Sequence, residues 1–217
     1  MCGRFTLRTK MNLLLQEFAI EVQPTFAQFE RYNIPPTADV PVVRQCDSHR
    51  QLSLMRWGLL PSWTKDPKAM PPLFNARADT VATKPSFRSA YKKRRCIVPA
   101  SGFYEWRKEG KERWPLYFQR TDERPLAFAG LWEAWGDVES CTIITTEANE
   151  LMAPIHNRMP VILARNDYDI WLDPEANDLA YLLAPCPPDE LKCHPVDRIV
   201  NKVGNDGPEC IVPLNSE

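Results

Sequence analysis

Near the start of the chain, apolar residues recur at helical spacing. Met11, Leu14, Leu15, Phe18 and Ala19 share one face and predict a helix with Thr9 as its N-cap. Beyond it the pattern shortens to apolar or alternating runs of strand length. Val40-Pro41-Val42-Val43 and Leu52-Ser53-Leu54-Met55-Arg56-Trp57 predict two strands joined by a polar turn over 46–50. Further strands are expected over 96–98, 102–106, 114–119, 126–132, 141–145 and 161–163, with a hairpin at the charged turn around Gly110. Pro85 suits the opening of a short basic helix running to about Lys93. Short helices are expected over 167–172 and 179–183, and a last extended piece over 211–213. Strands dominate the middle, helices flank it, and no βαβ rhythm occurs. The expected class is α+β, with a barrel-like mixed, mainly antiparallel β core flanked by short helices.

No linker, repeat or low-complexity tract interrupts the 217 residues, so one domain over 1–217 is expected. The 21 prolines are about twice the average usage of roughly 5%, yet hydrophobic content is 44%. Apolar content at that level excludes disorder, and the prolines instead imply many preset turns. Net charge is −1, which argues against coating duplex DNA by bulk electrostatics. Charge is nonetheless clustered. Arg4, Arg8 and Lys10 occur without an acid among the first ten residues, and Lys84, Arg88, Lys92, Lys93, Arg94 and Arg95 without one over 84–95. These runs suit either an anion-binding groove or two solvated faces. Seven cysteines lie scattered, without disulfide-framework or CxxC spacing, and no signal-like or membrane-length apolar run is present. A cytoplasmic, reduced protein with no membrane partner is expected.

Reactive chemistry centres on position 2. If Met1 is removed, Cys2 carries a free α-amine and a thiol on adjacent carbons, a 1,2-aminothiol that no internal residue offers. Reference pKa values of about 7.7–8.0 for the amine and about 8.5 for the thiol leave a minority of each nucleophilic at neutral pH. Such a pair condenses with an aldehyde to a five-membered thiazolidine. On position alone, a small tolerated residue is the plainer account. Glu105 lies in the aromatic strand Gly102-Phe103-Tyr104-Glu105-Trp106. Alternation sets it with Phe103 and Arg107 and opposite Tyr104 and Trp106. It is either exposed or a shielded carboxylate fit for general acid–base work. His156 and Arg158, two apart in Ile155-His156-Asn157-Arg158, suit phosphate contact or proton transfer beside an anion, or an ordinary satisfied loop. Asn75 beside Arg77 suits hydrogen bonding or loop capping. Trp63 and Trp106 near these clusters are either core or stacking faces for single-stranded nucleic acid. His49 reads as an exposed turn residue. Cys186, Cys193 and His194 match no zinc spacing, so neither metal nor cofactor is expected.

Taken in order, several segments resemble the SRAP family, the SOS-response-associated peptidases or abasic-site processing proteins. They are Met1-Cys2-Gly3-Arg4-Phe5, the Asn33-Ile34-Pro35-Pro36-Thr37 loop, Arg56-Trp57-Gly58-Leu59, Phe74-Asn75-Ala76-Arg77-Ala78, Phe87-Arg88 and Arg95-Cys96-Ile97-Val98-Pro99-Ala100. Gly102-Phe103-Tyr104-Glu105-Trp106, Ala129-Gly130-Leu131-Trp132-Glu133, Thr145-Thr146-Glu147-Ala148-Asn149, the His156 segment and Asp206-Gly207-Pro208-Glu209-Cys210 follow. The resemblance implies binding of single-stranded DNA containing abasic sites by a monomer. After loss of Met1, Cys2 would form a thiazolidine crosslink with the ring-opened sugar aldehyde. It further implies that Asn75 orients the amine or sugar, that Glu105 moves protons in lyase-like Schiff-base chemistry, and that His156 assists near the phosphate and in reversal. Arg4, Arg77 and Arg158 would hold phosphates, and Trp106 would stack on a base. Asn157 and Ser101 stand where the family often has Asp, and Pro35 where it often has Ala. Two alternatives remain: a cysteine (auto)peptidase using Cys2 with Glu105 and His156, or a single-strand DNA binding module in which Cys2 is incidental.

Overall fold

Residues 2–67 and 70–214 are described by the computed structural model; Met1, and with it the expected removal of Met1, lies outside them. In chain order the elements are β1 (Phe5–Leu7), α1 (Met11–Glu17), β2 (Arg31–Ile34), β3 (Asp39–Cys46), β4 (His49–Trp57), β5 (Asn75–Arg77), α2 (Arg88–Lys93) and β6 (Arg95–Ala100). They continue as β7 (Gly102–Glu109), β8 (Glu112–Arg120), β9 (Leu126–Trp135), β10 (Val138–Glu147), β11 (Arg158–Pro160), α3 (Tyr168–Leu172) and β12 (Leu191–Pro195). Among the described residues, no helix is long and apolar enough to cross a membrane.

Five strands close into a mixed barrel. β10 pairs in parallel with β4, and antiparallel pairings β4–β3, β3–β6, β6–β9 and β9–β10 complete the circuit. Closure leaves these strands no open edge to template aggregation. A second, antiparallel sheet runs β12-β8-β7-β1-β2. Its β7–β8 hairpin turns at Gly110, whose φ of +61° supplies the left-handed step that tight hairpins need. The α+β class with a barrel core is therefore the observed one. Aromatic rings join the two sheets: Phe5 of β1 meets Trp57 at 5.0 Å and Phe128 at 6.1 Å, and Phe103 of β7 meets Phe128 at 5.9 Å. Because Phe5 is wedged there at 0% exposure, the residues just before it are carried to the junction of the sheets.

Several local expectations are corrected by tertiary contacts. Thr9 does not cap α1; the N-cap is Lys10, and the Thr9 hydroxyl instead meets Ser101 Oγ at 2.9 Å. Ser101 Oγ also accepts from Arg8 N at 2.9 Å, so a hydroxyl there ties β1 to the start of β7. Pro85 does not open a helix. Residues 80–87 form successive turns, with Phe87 buried, and α2 starts at Arg88. The segment beginning at Asn33 is not all loop, since Asn33 and Ile34 end β2. The apolar 161–163 run is displaced from its expected strand. β11 pairs with β10 over Arg158–Pro160, and Ile162 then bridges Phe128 on β9. The run thus fills the gap where β9 and β10 separate, and its burial comes from that position. Residues 179–183 and 208–211 are 3-10 turns, so 211–213 is extended only at the Pro213 bridge to Val196.

Candidate active site

β1 lies between β2 and β7, pairing Phe5 with both Ile34 and Phe103. Upstream of it, Tyr104 N donates to Arg4 O at 3.0 Å, which extends residues 2–4 along β7. Cys2 is fully buried in the intact chain, and its carbonyl accepts from Asn75 Nδ2 at 2.8 Å. Burial, and then the Glu105 carboxylate, push the Cys2 thiol far above the ordinary cysteine range. Glu105 itself is only 4% exposed, so of the two expectations for this carboxylate the shielded one is observed. Arg107 shares that face of β7 but lies beyond the end of the core and is exposed. The Oδ1 of Asn75 is buried and has no hydrogen-bond partner among the described residues. An N-terminal residue is thereby pinned by a neutral amide and faced by a buried carboxylate.

The cationic part is built on three adjacent strands. β5 pairs with β10 in parallel, setting Arg77 opposite Thr145, and β11 pairs antiparallel on the other side, setting Arg158 opposite Glu147. Equal parity places Asn75, Arg77, Thr145 and Arg158 on one face. Arg158 reaches back to Thr145, donating to Oγ1 from Nη2 at 3.0 Å and to the carbonyl as well. Burial, and then the charge of Arg77, lower the Arg158 pKa. Arg77 is exposed and paired with Asp79, its Nε donating at 3.0 Å. His156 is half-buried, and its Nδ1 accepts from Arg158 N at 3.0 Å. That bond assigns the proton of the neutral ring to Nε2. A backbone amide thus helps to orient His156, and the neighbouring Asn157 side chain is exposed.

Arg4 and Trp106 frame a neighbouring cavity of about 400 Å³, lined also by Gly3, Arg113 and Asn201. Trp106 is half-buried, and its Nε1 donates to Asn201 Oδ1 at 2.6 Å. The Arg4 guanidinium lies 5.9 Å from the Trp106 ring centre and turns inward, with Nη1 donating to Asn33 Oδ1 at 2.6 Å and Val200 O at 3.0 Å. Burial lowers its pKa. Of the residues expected at a site, Cys2, Asn75 and Glu105 meet around the N-terminal segment, and Arg77, His156 and Arg158 sit on the adjoining face. Trp63 is 59% exposed on the loop after β4, and His194 binds Ile211 O at 2.9 Å on β12.

Three residues to which sequence reasoning assigned no role prove structural to this site. Thr145 anchors Arg158. Asn33, 0% exposed, joins Arg4 to the carbonyls of Val200, Lys202 and Asn205. Asp206 Oδ1 accepts from the amides of Tyr32 and Asn33, both at 2.7 Å. Each opens a segment that carries the family resemblance, and Thr145 is also a polar residue within an apolar strand, but nothing in the local pattern shows what Asn33 or Asp206 meets. Among the described residues, no group of three His, Cys, Asp or Glu side chains could hold a metal ion.

The chain matches a family model described as SOS response associated peptidase (SRAP) over residues 1–203. It is 39% identical over 221 residues to the abasic site processing protein YoqW of Bacillus subtilis (strain 168), covering 97% of this chain and 99% of that one. Its identity to the abasic site processing protein YedK of Escherichia coli (strain K12) is 31%, covering 99% of this chain and 100% of the relative. Among solved structures, a Bacteroides thetaiotaomicron protein superposes with a TM-score of 0.87 at 27% identity, covering 99% of this chain and 100% of the other.

Proposed function

This chain belongs to the SOS response associated peptidase family, and from that premise we propose that it processes abasic sites in DNA through its second residue. One observation carries the reading: Asn75 Nδ2 grips the Cys2 carbonyl at 2.8 Å while the buried Glu105 acts on the Cys2 thiol. Loss of Met1 frees the Cys2 amine at that fixed point. The amine adds to the aldehyde carbon of the ring-opened abasic sugar, and the carbinolamine loses water to leave an imine. The thiol then adds across the C=N bond, its proton passes to nitrogen, and a thiazolidine closes. Glu105 carries protons in these steps. Asn75 Oδ1, buried and unpartnered among the described residues, accepts from the amine or an opened sugar hydroxyl. Fixing the amine beside a bound aldehyde makes the condensation local, with effective molarities that reach about 10⁵ M.

Single-stranded DNA containing the lesion is the partner that best suits the surroundings. Arg77 and Arg158 flank Thr145 as two close cations, a pairing that a phosphate relieves. His156 Nε2–H supplies a further donor on that side. Trp106, at the edge of its cavity, offers a face for a base. The peptidase alternative has weaker support, because the relatives at 39% and 31% identity are named abasic site processing proteins.

Intact-mass measurement after incubation with an abasic oligonucleotide tests the proposal. The Met1-free protein should gain the oligonucleotide mass as a thiazolidine. Cys2→Ala should gain it only when borohydride traps an imine, and a chain that keeps Met1 should not gain it at all. Both variants should bind undamaged strand as the parent does. A full-yield thiazolidine adduct from either one overturns the proposal, and cleavage of added peptides without DNA favours the peptidase.

A further inference from the structure

The basic run over 84–95 divides into two groups with different work. Arg94 pairs with Glu133 at 2.7 Å. Arg95 is 5% exposed and donates to the carbonyls of Tyr91, Lys92 and Trp171 at 2.7, 2.8 and 2.8 Å. These two cations fasten α2 to the barrel and α3. Lys84, Arg88, Lys92 and Lys93 are exposed and form no ion pair with any described residue. Arg88 and Lys92, with Ala82 and Ser89, line an open cavity of about 450 Å³.

Spacing sharpens the point. Arg88 and Lys92 are four apart on α2, and Arg88 N donates to Lys84 O at 2.9 Å, so the turn carrying Lys84 abuts the start of that helix. Arg88 and Lys92 therefore share one helix face and repel each other, and Lys84 adds a third like charge at the end of that helix. Burial does not require them, and no acid offsets them among the described residues. Such a face suits a partner that brings regularly spaced negative charge.

The stripe also continues from the site. Ala78 N donates to Thr145 O at 2.8 Å, Thr80 N to Arg77 O at 3.1 Å, and Lys84 N to Thr80 O at 2.9 Å. Arg77 and Lys84 are thus seven residue steps apart, with the intervening chain wound into turns. At about 1.5–2 Å per residue that path spans roughly 10–14 Å. That separation exceeds the span of one nucleotide, so the stripe begins beyond the reacting one.

We propose that Lys84, Arg88, Lys92 and Lys93 form a second phosphate-binding stripe that holds the DNA strand flanking the lesion as it leaves the Arg77–Arg158 face. This rests on the reading of that face as a DNA site. It adds a footprint longer than the reacting nucleotide, supplied by residues that take no part in the chemistry.

The test is a combined K84Q, R88Q, K92Q and K93Q variant. Its affinity for undamaged single strands of about 5 and about 25 nucleotides would be measured by fluorescence anisotropy at about 50 and 200 mM salt. Each phosphate contact on a single strand contributes about 0.7 to the salt slope, so four lost contacts should lower the slope for the long strand by about 2.8. The loss of affinity between those salt concentrations should then be about fifty-fold smaller than in the parent. The short strand should bind the variant as it binds the parent, and adduct yield on a saturating short abasic strand should be unchanged. Thermal melting should stay close to the parent's, since all four side chains are exposed and form no ion pair with a described residue. An unchanged salt slope on the long strand overturns the stripe and leaves this surface to another acidic partner. A parent that binds long DNA with the expected slope yet forms no adduct defeats the abasic-site reading instead, and the stripe survives it.

Discussion

Replacing Asn33 offers the sharpest test of how the N-terminal segment is kept in place. Its Oδ1 accepts a charge-assisted bond from Arg4 Nη1 at 2.6 Å, and Nδ2 faces the carbonyls of Val200, Lys202 and Asn205 at 3.0, 3.2 and 2.7 Å. Asn33→Ala removes all of them at a site with 0% exposure. The bond to a charged group is worth about 1.5–3 kcal/mol and the two amide hydrogens about 1 kcal/mol each. A loss of about 4 kcal/mol follows, which for a chain of this size lowers the melting temperature by roughly 8–16 °C. Asn33→Asp separates the two halves of the argument. If the Arg4 contact dominated, a carboxylate would strengthen it and stabilise the fold. Three carbonyl oxygens around Nδ2 require a donor there, so the carboxylate variant should also destabilise, by at least about 2 kcal/mol. Urea unfolding monitored by tryptophan fluorescence measures both variants. A change below about 1 kcal/mol in Asn33→Ala, or a gain in stability in Asn33→Asp, refutes the reasoning.

Two further predictions concern packing and pH. A Cβ at Gly102 would fall within contact of the Tyr117 ring and the Phe118 carbonyl and displace the Tyr117 hydroxyl from Thr6 Oγ1, now at 2.8 Å. Gly102→Ala should therefore cost about 1–3 kcal/mol, read as a lower denaturation midpoint, and an unchanged midpoint would falsify the close approach. Burial, and then Glu190, push the Cys186 thiol up to about 12. A thiol with a raised folded-state pKa lends full stability below the unfolded value of about 8.5 and loses it as pH climbs toward the folded one. Stability should drop with pH across that window, and Cys186→Ala should make the decline shallower by about 1.4 kcal/mol per pH unit. Equal slopes for parent and variant would remove the argument.

Much of the fold was legible because strand signals are local. The strands on either side of Gly110, the run at 96–98 and the long β9–β10 hairpin each carry their alternation or apolar run in adjacent residues. The shared face of Glu105 and Phe103 was legible from period-two geometry, but its burial was not, since both faces of β7 are covered there. Errors fell where a distant partner overrode a local preference. Thr9 yielded its hydroxyl to Ser101, and 161–163 moved to fill the gap between β9 and β10.

Amino-acid order by itself determined strands β3, β4 and β6–β10, the family motifs and the 1,2-aminothiol that removal of Met1 would release. These are properties of neighbouring residues and need no third dimension. Strands β1, β2, β5, β11 and β12, by contrast, carry no strand pattern of their own. Only tertiary structure decided that one parallel pairing closes the barrel, that Asn75 grips the Cys2 carbonyl across 73 positions, and that Arg4 turns inward to Asn33. It also divided the basic run into two fastening cations and four exposed ones. The reason is that hydrogen bonding and desolvation depend on which groups meet. Groups that meet across long separations leave no trace in the local pattern of either segment.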